Sequence, residues 1–148
     1  MAPATPPVSK NAAYPAAELA KLLAPPEKEH PGAKLRRLLH EARDKGSYLH
    51  TCGAYDAYTA ALMTRLGFKA LYGSGWQLAA VKNMYPDIGI YQSHQMVELV
   101  QELWKGIEGA RHAHYYDTEG KEVLSVPPMF VDMEAGFGGP TQTFALAS

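Results

Sequence analysis

The sequence predicts an α/β fold built around a parallel sheet. Three observations lead there. Strand-like and helix-like segments alternate from residue 33 onward, each strand-like run ends at a glycine or a carboxylate, and 47% of the 148 residues are hydrophobic, enough for a packed core. Strands joined through helices imply right-handed crossovers, which deliver chemistry at the C-terminal ends of the strands.

The first 32 residues stand apart from that pattern. Seven of the 11 prolines fall there, interspersed with alanine. The segment reads as an extended, largely irregular arm with at most one short helix, around Ala16 to Leu23, stopped by Pro25-Pro26. A disordered tail and an arm packed on another subunit both suit this composition.

From Ala33 the organisation changes, so the expected division is an arm over 1–32 and an α/β domain over 33–148. Leu35, Leu38, Leu39 and Ala42 recur at i, i+3, i+4 and i+7 on one helical face, and Gly46 closes that helix. Tyr48 to Cys52 is a β-prone run. Asp56 caps a helix with Tyr58, Ala61, Leu62 and Leu66 on one side, ended by Gly67. Lys69 to Tyr72 forms the second strand and leads into Gly73-Ser74-Gly75-Trp76. A helix begins at Ser93, with Met96, Val97, Val100, Leu103, Trp104 and Ile107 at helical spacing, and Gly109 as its stop. Residues 110–126 are polar and read as a loop or irregular hairpin, turning at 117–120. Met129 to Asp132 is the third strand, and Pro140-Thr141 opens a further helix that runs toward Ser148.

Charge and composition exclude several function classes. Fourteen Lys+Arg against 15 Asp+Glu, with a formal charge of -1, argue against a nucleic-acid or anionic-membrane partner held by bulk charge. No stretch approaches the roughly 18 consecutive apolar residues of a membrane span. Residues 1–32 contain no Arg and three Glu, unlike a transit peptide, and no basic patch precedes an apolar core. The expected setting is cytoplasmic. Cys52 is the one cysteine, so neither a disulfide framework nor an all-Cys metal site exists within the chain.

Three strand ends carry residues suited to chemistry. Asp56, after Gly53-Ala54-Tyr55, is best explained as a helix cap. Gly73-Ser74-Gly75-Trp76 allows close backbone approach to an anion, or makes a tight turn with Trp76 on the core. Asp132 and Glu134, two apart at the third strand end, offer hard oxygens that suit Mg²⁺ or Mn²⁺; the alternative is a solvated acidic turn. Asp87, in Tyr85-Pro86-Asp87, is a turn residue by itself and a second metal carboxylate beside Asp132. His112 and His114 read as surface residues, and Cys52 as a small buried hydrophobe.

Three strings carry a family resemblance. Asp132-Met133-Glu134-Ala135-Gly136-Phe137-Gly138-Gly139 resembles a signature of isocitrate lyases. Ser74-Gly75-Trp76-Gln77 and Tyr85-Pro86-Asp87 are similar to strings of the same family, in the same order, over roughly residues 48–148. The wider superfamily includes methylisocitrate lyase and phosphoenolpyruvate mutase. The resemblance implies a (β/α)8 TIM-type barrel, here incomplete, with its first three strands and their helices, so that residues 33–148 would be the N-terminal part of a barrel catalytic domain. It also implies Mg²⁺-assisted cleavage of isocitrate to glyoxylate and succinate, the glyoxylate-bypass reaction, in a homotetramer. By matching strings, Ser74, Gly75 and Trp76 would bind the glyoxylate portion, and Asp87 and Asp132 would serve the metal, with Glu134 around it.

Other features of the family have no counterpart. Its catalytic cysteine lies in a Lys-Lys-Cys-Gly-His segment after the fourth strand, a place that the resemblance puts beyond Ser148. Cys52 does not match it, so no catalytic residue carries over. Met133 replaces the usual small residue. A closed barrel of this type takes about 250 residues. The expectation is therefore the front of a longer enzyme, inactive alone. The alternatives are another superfamily lyase, such as methylisocitrate lyase, or a non-catalytic interaction domain that keeps the barrel's start.

Overall fold

The computed structural model describes residues 29–147. The arm, the short helix expected at Ala16 to Leu23, and Ser148 therefore lie outside the described residues. The described elements are α1 (Pro31–Asp44), β1 (Gly53–Ala54), α2 (Ala57–Arg65), β2 (Leu71–Gly73), α3 (Gly75–Gln77) running into a π-helical stretch (Leu78–Lys82), α4 (Ser93–Asp117), β3 (Met129–Val131) and α5 (Pro140–Ala147). The three strands form one sheet in the order β1-β2-β3, and both pairings are parallel. This is the expected α/β topology. The helix expected from Pro140 is present as α5, and its described span ends one residue short of Ser148. No helix among the described residues is long and apolar enough to cross a membrane.

Local chemistry sets most element ends. His30 caps α1 through Nδ1, which accepts from Gly32 N–H at 3.1 Å, with Pro31 opening the first turn. Asp56 caps α2 by accepting from Thr59 N–H at 2.7 Å, while Thr59 Oγ1 accepts in return from Asp56 N–H. Both helices close with paired 6→1 and 5→2 hydrogen bonds: Ser47 to Ala42 and Gly46 to Arg43, then Phe68 to Met63 and Gly67 to Thr64.

Three sequence expectations need correction. The first two strands fall later than expected, with pairing that starts at Gly53 rather than Tyr48 and at Leu71 rather than Lys69, while the third starts at Met129 as expected. Residues 47–52 lie outside the paired strands, and Cys52 O accepts from Tyr72 N–H. The helix from Ser93 passes through Gly109 and continues to Asp117, so the loop expected over 110–126 is helical in its first half. One glycine costs a helix about 1 kcal/mol. Burial of Ala110, Arg111 and Tyr115 beyond it outweighs that cost, and Arg111 also pairs with Glu108 at 2.7 Å and donates to Leu124 O. In α2 the expected inner face points outward: Tyr58, Leu62 and Leu66 are exposed, while Ala60 and Thr64 are buried.

That inversion has a steric cause. The start of α2 and the middle of α4 touch backbone to backbone, and a Cβ on Gly106 would stand 2.0 Å from Ala57 O. Only small residues fit so close a contact, so the bulky side chains of α2 turn away from it. On the sheet side, α4 presents Met96, Leu99, Leu103 and Ile107, all nearly inaccessible, over Leu71 of β2. This layer holds the C-terminal strand ends in place.

The contrast between two glycines of α4 is testable. Gly106→Ala forces a methyl into Ala57 O and should cost at least about 1–3 kcal/mol. Gly109→Ala, with nothing within 4 Å of its added methyl, should gain about 0.5–1 kcal/mol. Urea unfolding midpoints read both, and equal effects would contradict the packing described.

Candidate functional site

Alternation along the strands sorts the side chains. Gly73 faces the helices, since a Cβ there would meet Val131 at 3.5 Å and Leu103 at 3.7 Å. Tyr72 therefore points to the opposite face, where its ring stacks on Phe130 with centroids 5.0 Å apart. Asp132 has the same parity as Phe130 and lies on that face too. Tyr72 donates its hydroxyl to Asp132 Oδ2 at 3.2 Å, while Asp132 Oδ1 accepts from Glu134 N–H at 2.8 Å. Asp132 N–H donates to Gly73 O at 2.9 Å, so the ladder runs up to the carboxylate itself.

The loop after β2 meets the loop after β3 at a glycine. Ser74 is buried, and its hydroxyl oxygen accepts from Gln77 N–H at 3.4 Å as the cap of α3. Gly75 is also buried, and a Cβ there would fall 1.9 Å from Tyr91 Oη and 2.8 Å from Glu134 Oε1. Tyr91 donates to Glu134 Oε1 at 2.5 Å and sets its ring edge-on to Phe137. Glu134 itself has φ +47, in the left-handed region where the strand gives way to loop. Trp76 is half exposed beside this point.

Electrostatics at the site are one-sided. Among the described residues neither Asp132 nor Glu134 pairs with a Lys, Arg or His. Their partners are phenols. Burial pushes the Tyr91 hydroxyl far above the usual phenol range, and its bond to Glu134 pushes further the same way. Tyr72 is raised first by burial and then by the Asp132 charge. Both hydroxyls therefore stay protonated and act as donors.

The structure brings Ser74, Gly75, Asp132 and Glu134 to adjacent strand ends, with Trp76 at the edge. Asp87 is not grouped with them. It is exposed in the turn where Ile88 N–H donates to Pro86 O, although a Cβ on Gly89, two residues on, would lie 4.0 Å from Glu134 Oε2. Among the described residues, no three His, Cys, Asp or Glu side chains cluster closely enough to hold a metal by themselves. Two un-neutralised carboxylates still suit Mg²⁺, which keeps most of its waters and takes one or two protein oxygens. Asp56 is a helix cap, as the sequence suggests. Cys52 is half-buried rather than buried, and lies outside the site with its Sγ 4.0 Å from His50 Nε2. His112 and His114 face Glu108 and Glu122.

Two site residues escape sequence reasoning. Tyr72 has a period-2 signal, since it alternates with Leu71 and Gly73 as Asp132 alternates with Val131. Tyr91 has none, because its partner Glu134 lies 43 residues away.

Comparison with known proteins finds relatives of the chain. No family model matches the chain. An isocitrate lyase of Halalkalibacterium halodurans is 36% identical over 117 residues, covering 76% of this chain and 26% of that protein. An isocitrate lyase of Salmonella typhimurium is 33% identical over 122 residues, 77% of this chain and 28% of that protein. Among solved structures, oxaloacetate acetylhydrolase in complex with the inhibitor 3,3-difluorooxalacetate superposes with a TM-score of 0.55 at 28% identity, over 78% of this chain and 33% of that one. The chain thus spans about a quarter of the length of the curated relatives it matches.

The raised phenols predict an alkaline limit. The folded state holds these protons more tightly than the unfolded chain does, whose phenols ionise near pH 10. Their contribution is complete below that value and is lost as pH rises above it. The thermal midpoint should fall above pH 10, and less steeply in Tyr72→Phe/Tyr91→Phe. Parallel slopes would contradict the donor assignment.

Proposed function

We propose, for a chain homologous to isocitrate lyases over 76% of its length, that it carries the metal- and glyoxylate-binding part of an isocitrate-lyase-type site. The single observation that supports this most is the meeting of Ser74-Gly75-Trp76 with Asp132 and Glu134 at neighbouring strand ends, joined through Tyr91 across Gly75. In this reading the three strands are the first three of a (β/α)8 barrel. The whole enzyme is a cytoplasmic homotetramer of the glyoxylate bypass.

The division of labour follows from the residues. Ser74 and the backbone on either side of Gly75 hold the carboxylate end of a small 2-oxo acid, and Trp76 bounds it. Asp132 and Glu134 would hold a divalent cation, Mg²⁺ or Mn²⁺, with Asp87 of the loop after β2 as a further candidate carboxylate. When bound, the cation supplies a Lewis-acid charge that offsets negative charge developing on the substrate oxygens during carbon–carbon cleavage. Tyr72 and Tyr91, kept protonated, aim the two carboxylates. No catalytic role is assigned to Cys52, which does not fall in a Lys-Lys-Cys-Gly-His segment.

A second reading has its own support. The likeness to oxaloacetate acetylhydrolase favours another superfamily enzyme, acting on an oxaloacetate-like acid with the same half-site.

Calorimetric titration of the full chain with Mg²⁺ and glyoxylate tests the proposal. Saturable binding is expected, weakened at least about tenfold by Asp132→Ala and less by Asp87→Ala. A folded chain that binds neither would point to a non-catalytic scaffold. Oxalate bound in clear preference to glyoxylate would favour the second reading.

A further inference from the structure

The structure assigns Tyr91 as a positioning residue that locks Glu134 against Gly75 and so ties the loop after β3 to the loop after β2. Its functional meaning rests on the reading of Asp132 and Glu134 as a cation-holding pair; the lock itself rests on geometry.

Four observations converge on this tyrosine. Its side chain is 7% exposed and belongs to the hydrophobic core, so the ring has one seat. Its hydroxyl leaves that core at one place, where it donates to Glu134 Oε1 at 2.5 Å. The space it uses exists only because residue 75 lacks a Cβ, which would lie 1.9 Å from the hydroxyl oxygen. Its ring also meets Phe137, whose φ of +57 belongs to the same left-handed turn series as that of Glu134. One side chain thus touches the start of α3, the carboxylate after β3 and the glycine-rich turn beyond it.

What this does for Glu134 follows from its surroundings. The residue is exposed, and an exposed glutamate samples many rotamers. Donation from a fixed phenol to Oε1 selects one of them before any ligand arrives. Oε2 lies 4.0 Å from where a Cβ on Gly89 would stand, and Asp132 already holds the Glu134 backbone through its N–H. Preorganisation of this kind raises cation affinity without adding a ligand. An ordinary core tyrosine whose hydroxyl merely finds a nearby acceptor would stabilise the fold and leave cation binding unchanged.

A double-mutant cycle on the full chain separates these roles, using Mn²⁺ alone as the probe and electron paramagnetic resonance to count free ion. Tyr91→Phe, which keeps the ring, should weaken Mn²⁺ binding about tenfold. Glu134→Gln should weaken it as well, and adding Tyr91→Phe to Glu134→Gln should produce no further loss, because the tyrosine acts through the glutamate. Gly75→Ala, which expels the hydroxyl, should reproduce the Tyr91→Phe effect. Unchanged Mn²⁺ affinity in Tyr91→Phe, or additive losses, would overturn the proposal. The same four proteins unfolded in urea supply a metal-independent reading: non-additive midpoints uphold the lock, and additive ones overturn it. A parent chain that binds no Mn²⁺ yet shows coupled midpoints would keep the lock and reject the cation reading.

Discussion

The parallel register of β2 on β3 governs the arrangement of the site. Tyr72 lies opposite Phe130 and Gly73 opposite Val131, so the two strands end together and release Ser74 and Asp132 side by side. A slip of one residue would turn Asp132 toward Leu103 and the packed helices, where an unpaired carboxylate is costly. The same slip would break the stack of Tyr72 on Phe130 and the hydroxyl bond to Asp132. Register is therefore selected from both faces at once, by apolar packing on one side and by a phenol and a carboxylate on the other.

Packing behind the sheet serves that register. Leu71 is sealed under Leu99, Leu103 and Ile107 of α4, and α4 can lie this close because Gly106 admits the backbone of α2. At the other end of the same helix, Tyr91 precedes its first turn and reaches forward to Glu134. One long helix thus couples the core to the loop that carries the second carboxylate. Phenols rather than Lys or Arg face the two carboxylates, so no side-chain cation among the described residues offsets them, an arrangement that suits a divalent cation.

Sequence patterning reads the fold best where one local signal suffices. Asp56 with Thr59, and the turns at Gly46 and Gly67, set helix ends from residues within a few positions of one another. Alternation of strand and helix correctly implies parallel pairing. It misplaces the first two strands by a few residues because pairing depends on partners distant in sequence. Periodicity also fails at Tyr58, Leu62 and Leu66, since a backbone contact through Gly106, about 40 or more residues away, takes the inner face for small side chains. Gly109 misleads for a related reason: burial beyond it outweighs its local cost. In the site, Asp132, Glu134, Ser74 and Gly75 are visible as chemistry at strand ends. Their phenolic partners emerge only from tertiary contact, and Asp87 forms no close metal-holding cluster with the two carboxylates among the described residues.

The proposed cation-holding half-site at the ends of β2 and β3 requires a bound cation to sit beside Asp132. Paramagnetic broadening of backbone amide resonances by Mn²⁺, in the isotope-labelled full chain, tests it most directly. Broadening concentrated on residues 73–77, 89–91 and 132–137, and spreading out from Asp132, is the result the account predicts. Broadening centred elsewhere, such as at Glu108 and His112 on α4, or uniform along the chain, would contradict it.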